Sequence, residues 1–140
     1  MSQIVVLDTH IWFWFINREF DRFPTFWRDE IETAQTVGVS PVSCYEIALA
    51  HQKRRLMLPT PLEDWLSLAL APSGIELMPL QAEVAIRAVN LSPMHKDPFD
   101  RLIIATALVY QANLASIDTL FKHYSELSDV LLPQTRQETP

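Results

Sequence analysis

The sequence predicts an α/β domain with a mainly parallel central sheet and helices on both faces, and three observations carry that prediction. Short apolar runs of strand length alternate with segments of helical periodicity from one end of the chain to the other. The first run, Ile4-Val5-Val6-Leu7, has the uninterrupted apolar character of a strand buried on both sides, as parallel strands are. At 140 residues the chain is the size of one domain and can bury a core without help from disulfides or structural metals. In such folds sites form beyond the carboxyl ends of the strands.

Asp8 ends the first run, and the aromatic-rich segment His10 to Ile16 reads as a short, mostly buried helix. From Phe26 to Val37, Trp27, Ile31 and Ala34 recur at helical spacing among charged residues, which predicts an amphipathic surface helix closed by Gly38. Val39 to Val42 is a second extended segment, with Pro41 placing it at a strand end or sheet edge. Ser43 to Glu46 has the capping-box pattern and opens a helix to about Arg55. Pro61 to Ala71 is helical, Gly74 breaks it, and Ile75 to Leu80 is a third strand. Gln81 to Leu91 is an amphipathic helix with Glu83, Arg87 and Asn90 on its polar face and Val84, Ala85, Ala88 and Val89 opposite. Asp97-Pro98 is a strong helix start, and the apolar stretch Leu102 to Tyr110 makes that helix the most buried one. Leu114 to Ile117 is a fourth strand ending at Asp118, Thr119 to Tyr124 a short helix, and Val130 to Leu132 a last edge strand. Residues 1–133 form one domain, and the polar tail 134–140 is expected to fray.

The composition is globular, 49% apolar and 20% charged, with no linker, repeat or low-complexity stretch. The single cysteine, Cys44, excludes an internal disulfide, and no Cys or His spacing frames a zinc site. A cytoplasmic location is expected, since no signal peptide is evident and the apolar runs are too short to span a bilayer. The net charge of -6 runs against nucleic-acid binding, which draws on Lys and Arg. A bound divalent cation would offset part of that acidity, and basic residues can act locally, as in Lys53, Arg54 and Arg55.

Asp8 and Asp118 each close an apolar strand, while Glu46 and Asp100 lie near the starts of helices, so all four can face one edge of the sheet. Magnesium and manganese ions take hard oxygen ligands, and such carboxylates suit them. Without a cation the cluster would repel itself and some members would take up protons. Each acid also has a structural reading: Glu46 as the end of a capping box, Asp97 and Asp100 as helix-start acids, Asp118 as an N-cap. Asp8 is harder to read that way, because an acid at the end of a buried strand rarely serves packing. His10 and His95 read as packing or hydrogen-bonding residues, and the Lys53 to Arg55 run as a solvated helix end.

The strings Leu7-Asp8-Thr9-His10, Ser43-Cys44-Tyr45-Glu46-Ile47-Ala48, His95-Lys96-Asp97-Pro98-Phe99-Asp100-Arg101-Leu102-Ile103-Ile104-Ala105-Thr106-Ala107 and Ser116-Ile117-Asp118 have the order and spacing found in PIN-domain proteins. More narrowly the chain resembles the VapC-type toxins of bacterial type II toxin–antitoxin systems, over Ile4 to Pro133. The third string is specific, and the others are weak alone. The resemblance implies a PIN-like single domain in which Asp8, Glu46, Asp100 and Asp118 hold Mg²⁺ or Mn²⁺ and activate water for RNA hydrolysis. Asp97 would be auxiliary, Thr9 a hydroxyl near the metal, and Arg101 a substrate contact or partner of an acid. Lys53, Arg54, Arg55 and Lys96 are further candidates for touching RNA. Ser116 stands where Thr is frequent in the family.

The resemblance also implies a homodimer and a small cognate antitoxin that blocks the site, forms a higher oligomer with the toxin and alone contacts operator DNA. Trp12, Phe13, Trp14, Phe15, Phe26, Trp27 and Trp65 exceed what one such core obviously needs, so some are expected at interfaces, including an unfilled apolar groove. Two rival classes stand beside this reading. A magnesium-binding signalling receiver needs paired acids after the first strand, where this chain has Thr9 and His10 after Asp8. A catalytically silent PIN-fold binding module would not need all four acids.

Overall fold

In the computed structural model, which describes residues 4–93 and 97–135, four parallel strands form one sheet in the order β3-β2-β1-β4. The strands are β1 (Ile4–Leu7), β2 (Thr36–Val39), β3 (Ile75–Leu77) and β4 (Asn113–Ala115). The helices are α1 (Thr9–Ile16), α2 (Trp27–Thr33), α3 (Pro41–Gln52), α4 (Leu62–Leu68), α5 (Ala82–Val89) and α6 (Pro98–Val109). Alternation along β1 divides the core. Val5 and Leu7 pack with Ile11, Trp12, Trp27, Ile31 and Trp65 on one face, while Val6 packs with Ile103, Ile104, Ala107 and Phe121 on the other. The sheet is thus covered on both sides, and β1 lies inside it between β2 and β4. Because β2 and β4 flank β1 on opposite sides, the chain reverses its winding there, and a crevice opens at the carboxyl ends of β1 and β4.

Several expectations change. The helix expected from Phe26 to Val37 stops at Thr33, and Gly38 lies within β2 instead of ending a helix. The reason is contact: a Cβ on Gly38 would collide with the Met78 side chain and crowd the Glu76 carbonyl. Pro41 is the first residue of α3, capped by the Ser40 hydroxyl, and neither ends nor edges a strand. Ser43 and Glu46 consequently lie inside α3, and the capping box does not form. Val130 to Leu132 makes one parallel bridge, Leu114 to Leu131, and Thr119 to Tyr124 contains only a single turn of 3₁₀ helix, Phe121–His123. α5 buries Val84 and Ala88 while Ala85 and Val89 are exposed, so its apolar face is narrower than expected. The tail beyond Thr135 lies outside the described residues.

The aromatic surplus is absorbed by the core. Trp12, Trp27 and Trp65 are buried, and each indole N–H finds an acceptor: the Ala69 carbonyl at 2.9 Å, the Pro133 carbonyl at 2.8 Å and Asn17 Oδ1 at 3.1 Å. Phe13 is buried too, and Trp14, Phe15 and Phe26 are partly covered. The exposed large apolar side chains lie elsewhere, among them Met57, Ile86 and Val89. Of those aromatics, Phe13 and Trp14 also line cavities beside α1.

Gly38→Ala is expected to destabilise the fold by about 1–3 kcal/mol through overpacking. In urea denaturation the penalty should shrink when combined with Met78→Ala, because the two sites share the collision. Full additivity of the two changes would show that the contact does not set the requirement for glycine.

Candidate active site

Each of the four acids reaches the crevice by a separate route. Asp8 follows β1 and continues its pairing, its N–H donating to the Ala115 carbonyl at 2.9 Å. Asp118 comes three residues after the end of β4. Glu46 lies in the second turn of α3, which starts directly after β2, and Asp100 in the first turn of α6 behind its N-cap Asp97. Asp8, Glu46, Asp97, Asp100 and Asp118 line one open cavity of about 580 Å³ together with Thr9, His10, Trp14 and Thr119.

Hydroxyl groups fix two of these carboxylates. Ser116 Oγ accepts from the Asp118 N–H at 3.1 Å and donates to Asp8 Oδ2 at 2.7 Å. The other oxygen, Asp8 Oδ1, accepts from the Thr9 N–H at 2.8 Å. The Thr9 hydroxyl donates to Glu46 Oε1 at 2.6 Å and lies 2.8 Å from Ser43 Oγ. Its one proton goes to Glu46, so with that acid ionised Ser43 is the donor to Thr9. Thr9, Ser43 and Ser116 are all buried. Asp97 and Asp118 also cap local turns, bonding to Phe99 N and Leu120 N, both at 2.9 Å. For Asp97 the helix-start reading holds, whereas Asp118 is not the N-cap of the short helix Phe121–His123 and only closes a local turn; neither role excludes a functional one.

The electrostatics penalise full ionisation. Burial raises the Asp8 carboxyl above its usual range, opposed by the bonds from Ser116 and Thr9. Glu46 is also raised, first by burial and then by the charges of Asp8 and Asp97, with the Thr9 bond opposing. Asp100 is pushed up to about 7, by burial first and then by Asp97, Asp8, Glu46 and Asp118. Among the described residues, no three His, Cys, Asp or Glu side chains are drawn together into a ready-made metal cage. The acids form a ring around the cavity. Magnesium typically keeps several waters and is bound directly by one or two carboxylates, so oxygen side chains are the donor type it takes and a closed cage of three or more is not required.

The other sequence candidates separate. Arg101 is turned to backbone: its guanidinium donates to the carbonyls of Ala88, Leu91 and Ser92 at 3.1, 2.9 and 2.9 Å, at and just beyond the end of α5. These bonds give Arg101 a structural role at the end of α5. Lys53 and Arg55 line a second cavity next to the acids, whereas Arg54 lines neither. Lys96 and His95 lie outside the described residues. The sequence alone assigns no site role to His10, which lines both cavities, or to the buried hydroxyls of Ser43 and Ser116. A serine closing the apolar run Leu114-Ala115 was the available signal for Ser116.

Comparison with known proteins decides the family. The PIN domain profile matches residues 5–127. This chain belongs to the PIN-domain family. It is 31% identical over 115 residues to Ribonuclease VapC22 of Mycobacterium tuberculosis, covering 81% of this chain and 86% of that protein. Its fold is similar to that in the crystal structure of VapBC2 from Rickettsia felis bound to a promoter DNA fragment, with a TM-score of 0.66, 20% identity and coverage of 92% and 97% of the two chains. A toxin–antitoxin complex from Klebsiella pneumoniae matches with a TM-score of 0.60 and 15% identity, over 95% and 99%. Membership in the PIN family sets aside the receiver alternative. No helix among the described residues is long and apolar enough to cross a membrane.

The raised Asp100 fixes the sign of a pH effect. Its carboxyl binds a proton more tightly folded (about 7) than at its usual value of 3.8, so the metal-free fold loses stability as pH rises from about 4 to about 7. Asp100→Asn should remove that loss, giving a flatter profile and a higher melting temperature at pH 8 without metal. Thermal melts of both proteins across that range in EDTA check it, and identical profiles would refute the raised Asp100 carboxyl.

Proposed function

We propose that this PIN-domain protein is a divalent-cation-dependent endoribonuclease acting as the toxin of a type II toxin–antitoxin module. The observation that carries the chemistry is the ring of Asp8, Glu46, Asp100 and Asp118 around one cavity, in which burial and like charge penalise ionisation without a cation. The similarity to Ribonuclease VapC22 over most of both chains supports RNA hydrolysis. The toxin–antitoxin complexes among the fold neighbours support a protein antitoxin as partner, with operator DNA contacted through it.

Asp8, Glu46, Asp100 and Asp118 would hold Mg²⁺ or Mn²⁺, with Asp97 beside them. When bound, the ion lowers the pKa of a water and relieves charge on the phosphoryl and leaving oxygens. The chain's own part is positional. Ser116 turns Asp8 into the cavity and ties it to the segment carrying Asp118, while Thr9, backed by Ser43, sets the Glu46 carboxylate. The substrate in this reading is a single-stranded or looped RNA, whose unstacked bases are open to contact. The homodimer belongs to this proposal as well, as the assembly state of the free toxin.

EDTA should abolish cleavage of a single-stranded RNA, and Mg²⁺ or Mn²⁺ should restore it. Asp8→Asn and Asp100→Asn should each remove most activity while the protein stays folded. Thr9→Ala should lower activity about 10–100-fold, as loss of a ligand-orienting bond does. Full activity in excess chelator would refute the metal role, and an intact fold without any hydrolysis would favour a silent binding module.

The toxin assignment has its own test. Expression of the chain alone should arrest bacterial growth, and co-expression with the product of the adjacent gene should yield an inactive complex and restore growth. Light scattering of the isolated protein should give twice 16.1 kDa. Matched RNA and DNA oligonucleotides cleaved at equal rates would exclude recognition of the 2′-hydroxyl.

A further inference from the structure

The acid ring cannot by itself hold a long polyanion, because every nucleotide on either side of the reacting phosphate meets negative charge. Beside it lies a second cavity of about 370 Å³. Thr9, His10, Glu46 and Asp97 line both cavities, so the two are separated only by side chains of the site itself. The second cavity is also lined by Lys53 and Arg55 and by Phe13, Leu56 and Phe99. Among the described residues neither cation is engaged in an ion pair.

The backbone explains why two of three consecutive cations face inward. α3 ends at Gln52, and Arg54 takes the left-handed conformation, φ 58°, that usually falls to glycine at a helix end. Its N–H bonds the His51 carbonyl at 3.0 Å and the Arg55 N–H bonds the Ala50 carbonyl at 2.8 Å, which folds the chain back on the helix. Lys53 and Arg55, on either side of the reversal, reach the cavity, and Arg54 does not.

We propose that this second cavity is a nucleotide subsite, in which Lys53 and Arg55 take the phosphate next to the scissile one and the adjoining base lies against Phe13, Leu56 and Phe99. The assignment rests on the nuclease reading above. A volume of this size is at the small end of ligand sites and suits one nucleotide. Cations together with aromatic and apolar side chains in one cavity are the features that hold single-stranded nucleic acid without reading a duplex. The subsite also answers the net charge of -6, since it places two unpaired cations where the substrate leaves the acids.

Arg54 supplies an internal control, since Arg54→Gln and Arg55→Gln change net charge equally on the same turn. With a mixed-sequence single-stranded oligoribonucleotide in Mg²⁺, Lys53→Gln and Arg55→Gln should each raise KM about fivefold or more with kcat preserved. Because the two cations share one phosphate, the double variant should reduce the log–log salt slope by about 0.7 and each single variant by part of that. Arg54→Gln should match the wild type in both. Equal effects from all three variants would mean general charge attraction, and no effect from any would mean an unused cavity; either overturns the subsite. If the wild type cleaves no RNA, binding of the same oligoribonucleotide by fluorescence anisotropy in Ca²⁺ separates the two ideas. The same ranking of variants would then retain the subsite while the nuclease reading falls, and equal affinities would remove the subsite too.

Discussion

Holding several carboxylates in one partly buried place is the constraint on which the rest of this structure depends. A folded chain gains nothing from such a cluster, since burial and mutual repulsion both favour the protonated or unfolded forms. The geometry has to be imposed by elements that are stable for other reasons. Here they are a four-stranded parallel sheet with apolar packing on both faces and helices whose starts are fixed by Ser40 and Asp97. Two buried hydroxyl relays complete the arrangement, Asp118 N–H to Ser116 to Asp8 and Ser43 to Thr9 to Glu46. Each replaces water that the carboxylate loses on burial, and hydrogen bonds to charged groups are worth about 1.5–3 kcal/mol each.

The features legible in the sequence were those whose signal is local. Strand β1 followed by Asp8, and α6 opened by Asp97-Pro98, stand where the pattern puts them, because an apolar run and an N-cap act over a few residues. The acids converge as expected because three of them follow strand ends or helix starts on one edge of the sheet. Gly38 reads as a helix stop in the sequence because its need for hydrogen as a side chain comes from Met78, forty residues away, which no local rule contains. Ser43 and Glu46 matched a capping box by spacing, yet Ser40-Pro41 is the stronger helix start and takes the cap. The role of Ser43 is instead to Thr9, 34 residues earlier, a contact made only once α1 and α3 lie side by side. The aromatics were miscounted for a similar reason: three buried tryptophans need three distant acceptors, and only tertiary structure supplies them.

Arg101 shows how a residue can be tied to a site without entering it. Its side chain follows Asp100 on α6 but turns to the carbonyls of Ala88, Leu91 and Ser92, which a helix end leaves unsatisfied. Glu126 holds the same segment from another side, accepting from the Ser92 N–H and hydroxyl at 2.8 Å each, bonds that lower its own carboxyl's pKa. The end of α5 is thus pinned to the start of α6 and to the turn after Tyr124. Since α5 and α6 pack together and α6 carries Asp97 and Asp100, these bonds transmit the position of an exposed helix to two acids of the ring. The Arg101 guanidinium bonds the end of α5, and burial together with the charges of Asp97, Asp8, Glu46 and Asp118 holds the Asp100 carboxyl high.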